Sequence, residues 1–224
     1  MRLGIYGRKV GMTQIFDDNG GTVPITVIDT TGCVVTQVKT KASEGYNAIQ
    51  VGFGKRKPQN VGKAAAGHFK KAGVEAKARV KEIRFEETTD LSQVKTGQVL
   101  TPSMFTKGDR VDVSGITKGY GFTGVMKRYG WSGKDATHGT SKYFRHGGSN
   151  GTNTFPGRVL KNHGMPGQWG NRLRTAQNLE VVDVRPEQNL ILLRGAVPGP
   201  KQGMLLIRST KKKKAPEGRT MVQA

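Results

Sequence analysis

Residues 178–194 read NLEVVDVRPEQNLILLR. Apolar side chains stand at 179, 181, 182 and 184 and again at 190–193, and the two runs flank Pro186-Glu187-Gln188-Asn189. Aliphatic runs of that length around a turn of that composition predict a β-hairpin. Outward from it, residues 23–28, 33–38, 48–53, 111–113 and 204–207 repeat the pattern, punctuated by turn signals such as Asp18-Asn19-Gly20-Gly21 and Thr31-Gly32. About seven short strands with tight turns predict a mainly β fold closed into a small barrel, because closure removes exposed sheet edges. Residues 1–54, 85–114 and 176–208 are expected to supply that barrel. Thr101-Pro102 ahead of Ser103-Met104-Phe105 predicts one helical turn, with an N-cap followed by proline at the first helical position.

Charge narrows the class of function. The 224 residues hold 37 Lys and Arg against 16 Asp and Glu, a net charge of +21, and only 34% are hydrophobic. Such a chain builds a modest core and attracts polyanions. A membrane partner fits poorly, since no stretch approaches the roughly 18 apolar residues of a spanning helix and no long basic amphipathic helix is visible. Nucleic acid is the expected partner. Cys33 is the only cysteine, which excludes an intrachain disulfide and a cysteine zinc cluster. Residues 1–10 lack the apolar run of a secretory signal, so a cytoplasmic, unprocessed chain is expected.

The charge is not spread evenly. Residues 1–54, 85–114 and 176–200, which hold most of the expected strands, are nearly neutral. Residues 55–84 carry 10 basic and 2 acidic side chains, residues 115–175 carry 10 and 1, and residues 201–224 carry 7 and 1. The first of these basic blocks reads as an insertion on the barrel surface, with a short helix expected over residues 62–71. Its Lys55, Arg56, Lys57, Lys63, Lys70 and Lys71 are candidate RNA contacts, as are Lys211 and Lys212 in the expected basic tail, residues 209–224.

Residues 115–175 hold 14 of the 32 glycines and 8 of the 15 aromatics but almost no period of strand or helix, with residues 122–128 alone looking helical. A structureless connection of that length is uncommon in a compact domain unless it is functional or disordered, and its aromatic content argues against ordinary disorder. Backbone ordering costs about 1–2 kcal/mol per residue. Against RNA that cost is recoverable, because cations neutralise phosphates, aromatics stack on bases and glycines allow close approach. The expected contacts are Lys118, Tyr120, Lys127, Arg128, Trp131, Lys134, His138 and Lys142, then Arg145, Arg158, Lys161, Gln168, Trp169, Arg172 and Arg174. Trp131 and Trp169 read more readily as small local cores than as stacking platforms. His146, Gly147, Gly148 and Ser149 belong to an expected reversal at residues 146–156.

Other chemistries find little support. His138, His146 and His163 have no Asp, Glu or Cys at metal-ligand spacing, so no metal is expected. Gly119-Tyr120-Gly121-Phe122-Thr123-Gly124 matches the dinucleotide fingerprint, but no second parallel strand or suitably placed acid follows. Asp135 is the one acid of the segment, which leaves little for general acid-base catalysis. No cofactor, small-molecule substrate or enzymatic activity is expected. A DNA-compacting protein would need a groove-entering helix or ribbon, and neither is visible.

Six ordered motifs carry a resemblance to a known family. GRKVGMTQIF (residues 7–16) opens the chain, GITKGYGFTGVMKRYGW (115–131) follows, then THGTSKYFRHGGSNG (137–151), GMPGQWGN (164–171) and RTAQNLEVVDV (174–184), with LLRGAVPGP (192–200) closing. In that order they resemble the universal L-three family of large-subunit ribosomal proteins, in its bacterial form, over residues 4–209. The resemblance implies a translation-type β-barrel, a long irregular extension penetrating large-subunit ribosomal RNA toward the peptidyl transferase centre, early assembly and neighbouring ribosomal proteins as partners. It implies a ribosome of the cytoplasm or of an organelle. The chain departs from the family at Gly147-Gly148-Ser149-Asn150-Gly151, where many bacterial members have Pro-Gly-Ser-Ile-Gly. The glutamine methylated in some relatives falls at Thr152, so that modification is not expected.

Overall fold

The computed structural model describes residues 4–17, 19–86 and 91–212. Of the expected basic tail, only residues 209–212 fall within the described chain; the remainder lies outside it. In chain order the elements are β1 (Gly4–Phe16), β2 (Thr22–Asp29), β3 (Val34–Lys39), α1 (Lys41–Glu44), β4 (Ala48–Lys55), α2 (Lys63–Ala72) and β5 (Lys77–Arg84). There follow β6 (Arg110–Ile116), β7 (Gly121–Thr123), α3 (Val125–Tyr129), β8 (Gly167–Trp169), β9 (Leu173–Arg185), β10 (Leu190–Arg194) and β11 (Met204–Ser209). A 3-10 turn at Pro102–Met104 starts after Thr101.

Six strands close the barrel in the order β1-β11-β6-β9-β10-β2. The hairpin read from residues 178–194 is its β9–β10 pair, with Leu190 opposite Arg185 and, past a register shift between Leu192 and Leu193, Leu193 opposite Val181. Asn189 N donates to Pro186 O at 3.1 Å to close the turn. The strands alternate as a barrel wall requires, so Leu205, Ile207 and Ser209 of β11 are buried while the residues between them are half-buried. Ile5, Ile28, Val111, Val113, Val181, Ile191, Leu193, Leu205 and Ile207 fill the interior, each at most 1% exposed. At roughly 1.5–3 kcal/mol for each fully buried side chain of this kind, they supply the barrel's main cohesive energy.

Three features depart from the sequence reading. β1 is 13 residues long yet was not expected as a strand, because Gly4, Gly7 and Gly11 interrupt its apolar run. Gly7 is required there: a Cβ would sit 2.4 Å from Ile28 Cγ2 on the neighbouring strand. Residues 33–38 and 48–53, expected in the barrel, instead form β3 and β4 of a separate three-stranded sheet, β3-β4-β5. β-Branched composition specifies a strand but not its partner. The third departure is β5 itself, which lies within residues 55–84 and pairs with β4 along its length, from Ala48 opposite Arg84 to Lys55 opposite Lys77. Five charges in KARVKEIR hide an alternation whose inward residue, Ile83, is fully buried.

The short helix in the same segment docks by Phe69 and Ala72, both buried. His68 Nε2 lies 2.6 Å from Gln50 Oε1, so the ring donates to the amide oxygen. Lys39 pairs with Glu82 at 2.9 Å; their hydrogen bond raises the Lys39 pKa and lowers that of Glu82. Cys33 is fully buried and donates Sγ–H to Tyr6 O at 2.9 Å. Burial pushes its thiol up to about 12.

Contacts divide the chain into two compact units, Met1–Ile116 with Leu173–Ala224, and Thr117–Arg172.

Candidate nucleic-acid interface

The unit Thr117–Arg172 begins and ends on a hydrogen-bonded pair, Thr117 N donating to Arg172 O at 3.0 Å. Asn171 N to Lys118 O at 3.3 Å and Tyr120 N to Trp169 O at 2.9 Å continue the ladder into the β7–β8 pair. Gly170 has a φ of +74°, and a Cβ there would lie 2.0 Å from Lys118 O. Only glycine allows the two strands to approach so closely. α3 follows β7 and ends at Gly130, whose left-handed φ of 75° lets its N–H reach Met126 O. The helix is shorter than residues 122–128 suggested, because Phe122 belongs to β7.

A small core organises this unit. Val125 and Thr123 are buried, and Trp131 stands half-buried beside Tyr129 at 6.3 Å and edge-on to His163 at 5.7 Å between ring centroids. A Cβ at Gly147 would approach Trp131 and Val125 to 3.1 Å, and one at Gly164 would approach Tyr129 to 3.0 Å and Trp131 to 3.2 Å. The glycines thus make room for the indole, which is local core rather than a free stacking surface. Trp169 is used similarly, stacked on Tyr120 at 4.4 Å. Lys127 Nζ lies 4.8 Å from the Tyr120 ring centroid, a cation-π contact that leaves less of that ring to a base. Arg128 is half-buried, donates to Met165 O and lies over the Tyr129 ring at 5.1 Å. Three residues chosen for RNA contact are therefore engaged in internal packing, and a fourth, Arg128, divides between the two roles.

The remaining cations face outward. Lys118, Lys134, Lys142, Arg145, Arg158, Lys161 and Arg172 are exposed, as are His138, His146, Gly148, Ser149 and Gln168; Gly147 is half-buried. Among the described residues, no cation of this unit forms an ion pair, whereas Lys39–Glu82, Arg110–Glu180, Arg185–Asp183 and Arg194–Glu180 pair in the other unit. In the other unit, Lys55, Arg56, Lys57, Lys63, Lys70, Lys71, Arg174, Lys211 and Lys212 are exposed as well. Lys211 is held at its backbone, where its N–H donates to Asp112 Oδ2 at 3.3 Å.

Two aromatics escaped the sequence reading. Phe122 and Phe155 are 79% and 86% exposed. Neither stacks on another ring among the described residues, unlike Tyr120, Trp131 and Trp169. An aromatic with no aliphatic neighbours in a basic, Gly-rich segment was the available signal. Among the described residues no group of three His, Cys, Asp or Glu side chains is placed to hold a metal ion. No helix among them is long and apolar enough to cross a membrane.

A closed β-barrel joined in one chain to a small unit rich in unpaired cations matches a known family by sequence: the family model described as Ribosomal protein L3 covers residues 60–189. The chain belongs to the ribosomal protein L3 family. Similar proteins extend the match beyond those residues. Large ribosomal subunit protein uL3 of Alkaliphilus metalliredigens is 50% identical over 209 residues, 93% of this chain and 98% of that relative. The uL3 proteins of Lawsonia intracellularis and Syntrophobacter fumaroxidans are 46% and 48% identical, over 92% and 94% of this chain and 97% and 98% of their own. The L3 match therefore takes in both units.

Proposed function

We propose that this protein is a structural constituent of the large ribosomal subunit, working in the cytoplasm, that binds the subunit's RNA and helps to nucleate its assembly. L3 family membership supports the ribosomal role. The observation that carries the RNA reading is the surplus of exposed, unpaired cations between Thr117 and Arg172, where nine Lys and Arg accompany the single acid Asp135. Lys118, Lys134, Lys142, Arg145, Arg158, Lys161 and Arg172 neutralise phosphates there. Lys55, Arg56, Lys57, Lys63, Lys70, Lys71, Arg174, Lys211 and Lys212 add a second basic surface. Such contacts fix position on the RNA, while unpaired bases give the exposed aromatics something to stack on.

The unit Thr117–Arg172 extends toward the peptidyl transferase centre with residues 146–156 at its tip, a reading that rests on the family resemblance. It supplies no catalytic group. Neighbouring ribosomal proteins complete the partners. The test is a titration against folded large-subunit RNA at several salt concentrations. If about 6–10 phosphates are neutralised, affinity falls by about 10³–10⁵ between roughly 50 and 200 mM salt. A flat response removes the electrostatic mechanism.

A further inference from the structure

Residues 149–151 read Ser-Asn-Gly, so Asn150 stands directly before Gly151. The other Asn-Gly pair of the chain is Asn19-Gly20, in the turn between β1 and β2. The two differ in what holds the glycine nitrogen. Gly20 N donates to Asp17 O at 2.8 Å, inside a turn closed a second time by Asp17 N to Gly21 O at 2.8 Å. Both partners are backbone atoms fixed by the paired strands on either side. Gly151 N instead donates at 3.3 Å to Ser149 Oγ, a hydroxyl whose own proton goes to Gly151 O at 2.7 Å. That acceptor is a single exposed side chain, free to rotate away.

We infer that Asn150-Gly151 is a site of spontaneous covalent modification, deamidation through a succinimide, and that Asn19-Gly20 is protected from it. In the reaction, Gly151 N loses its proton to solvent base and bonds to Asn150 Cγ. The Cγ–Nδ2 bond breaks and nitrogen leaves as ammonia. Water then adds to either carbonyl of the five-membered ring, opening it to aspartate or isoaspartate. No oxidant or second reactant besides water is needed.

Three observations favour position 150. Asn150 and its neighbours 148–160 are all exposed, so water and base reach the amide. A Cβ built on Gly151 would meet nothing within 4 Å, so the nitrogen can move toward Cγ without displacing packed atoms. The unit carries nine Lys and Arg against one acid, and positive surroundings stabilise the anionic nitrogen from which attack occurs. The product replaces a neutral amide by a carboxylate in the most cation-rich unit described. This inference goes beyond the RNA reading and does not rest on it, since it concerns the free chain.

The test is peptide mass mapping of the purified full-length protein, sampled during incubation at mildly alkaline pH. Conversion raises the peptide mass by about one dalton and leaves isoaspartate that an isoaspartyl methyltransferase detects. Asn150 is expected to convert at least about tenfold faster than Asn19, the factor that corresponds to one backbone hydrogen bond of ordinary net strength. Gly151→Ala adds a Cβ beside the attacking nitrogen and is expected to slow conversion at 150 while leaving 19 unchanged. Equal rates at the two sites, or a G151A rate equal to wild type, overturn the inference.

Discussion

In the barrel unit Arg110 and Arg194 share the carboxylate of Glu180 at 3.5 and 3.4 Å, and Arg185 reaches Asp183 at 3.2 Å. Between Thr117 and Arg172 nine cations accompany the one acid Asp135, and among the described residues none of them is ion-paired. The cores differ in the same direction. The barrel fills its interior with nine almost completely buried aliphatic side chains, whereas the smaller unit relies on Val125, Thr123 and a half-buried indole between two glycines. One region pairs several of its charges and buries its apolar surface within itself, and the other leaves its cations without acidic partners among the described residues. The barrel's surface ion pairs add little to stability, roughly 0–1 kcal/mol each.

The largest effect that separates the regions is on salt dependence. Changing Lys118, Lys142, Arg145, Arg158 and Lys161 to Ala together is expected to flatten the log-affinity against log-salt slope by up to about 4.5, near 0.9 per lost phosphate contact. Changing Arg110, Arg185 and Arg194 to Ala is expected to leave the slope nearly unchanged. Equal losses from the two sets would erase the electrostatic contrast.

Stability gives the next effect. Leu193→Ala removes a fully buried side chain from the barrel and is expected to cost about 2–5 kcal/mol in urea unfolding. Trp131→Ala lies in the other unit and is expected to shift the barrel transition by less than about 0.5 kcal/mol, as for independent sites. A shared loss would show that the two cores unfold as one.

Native-state reactivity sharpens the same point. Trypsin is expected to cut the free protein first within residues 134–161, while Cys33 stays unlabelled by a thiol reagent until the barrel opens. The folded Cys33 thiol, held near 12, keeps its proton beyond the unfolded value of about 8.5. Its contribution to stability is therefore complete below about pH 8.5 and lost as pH rises toward 12, and a Cys33→Ala variant should lack that component of the alkaline decline. Labelling of Cys33 before any cleavage would reverse the order of the two regions. The smallest effect is Tyr120→Leu, expected to cost about 0.5–1.5 kcal/mol through the lost ring stack and to be read from Trp169 fluorescence.

Much of the barrel was legible because its strands are short, aliphatic and bounded by turn residues. β9 and β10 could be read from 178–194 down to the residues of their turn. β1 was not, since sites of close approach such as Gly7 look like strand breakers until the neighbouring Ile28 is known. β5 was hidden because charge dominates a strand of which only Lys77 and Ile83 are buried. The assignment of β3 and β4 to the barrel failed for another reason: pairing is a long-range property that local composition does not carry. In the candidate interface the residue types were readable but their division of labour was not. Trp131 and Trp169 already read as small local cores, whereas Tyr120 needed coordinates to be seen as a packing residue, as did Phe122 and Phe155 to be seen as the rings left free.

The hydrogen-bonded doorway formed by Thr117 and Arg172 has a consequence for the history of the chain. Ile116 and Leu173 are already opposite one another in the β6–β9 ladder, so the closure entropy of everything between them is met by a pairing that the barrel makes anyway. To the barrel, the intervening residues are the loop of a hairpin, whatever their number. That stretch is therefore free to lengthen, shorten or change sequence in a lineage without moving any strand of the barrel out of register, and selection can shape its surface chemistry and the barrel fold on separate schedules.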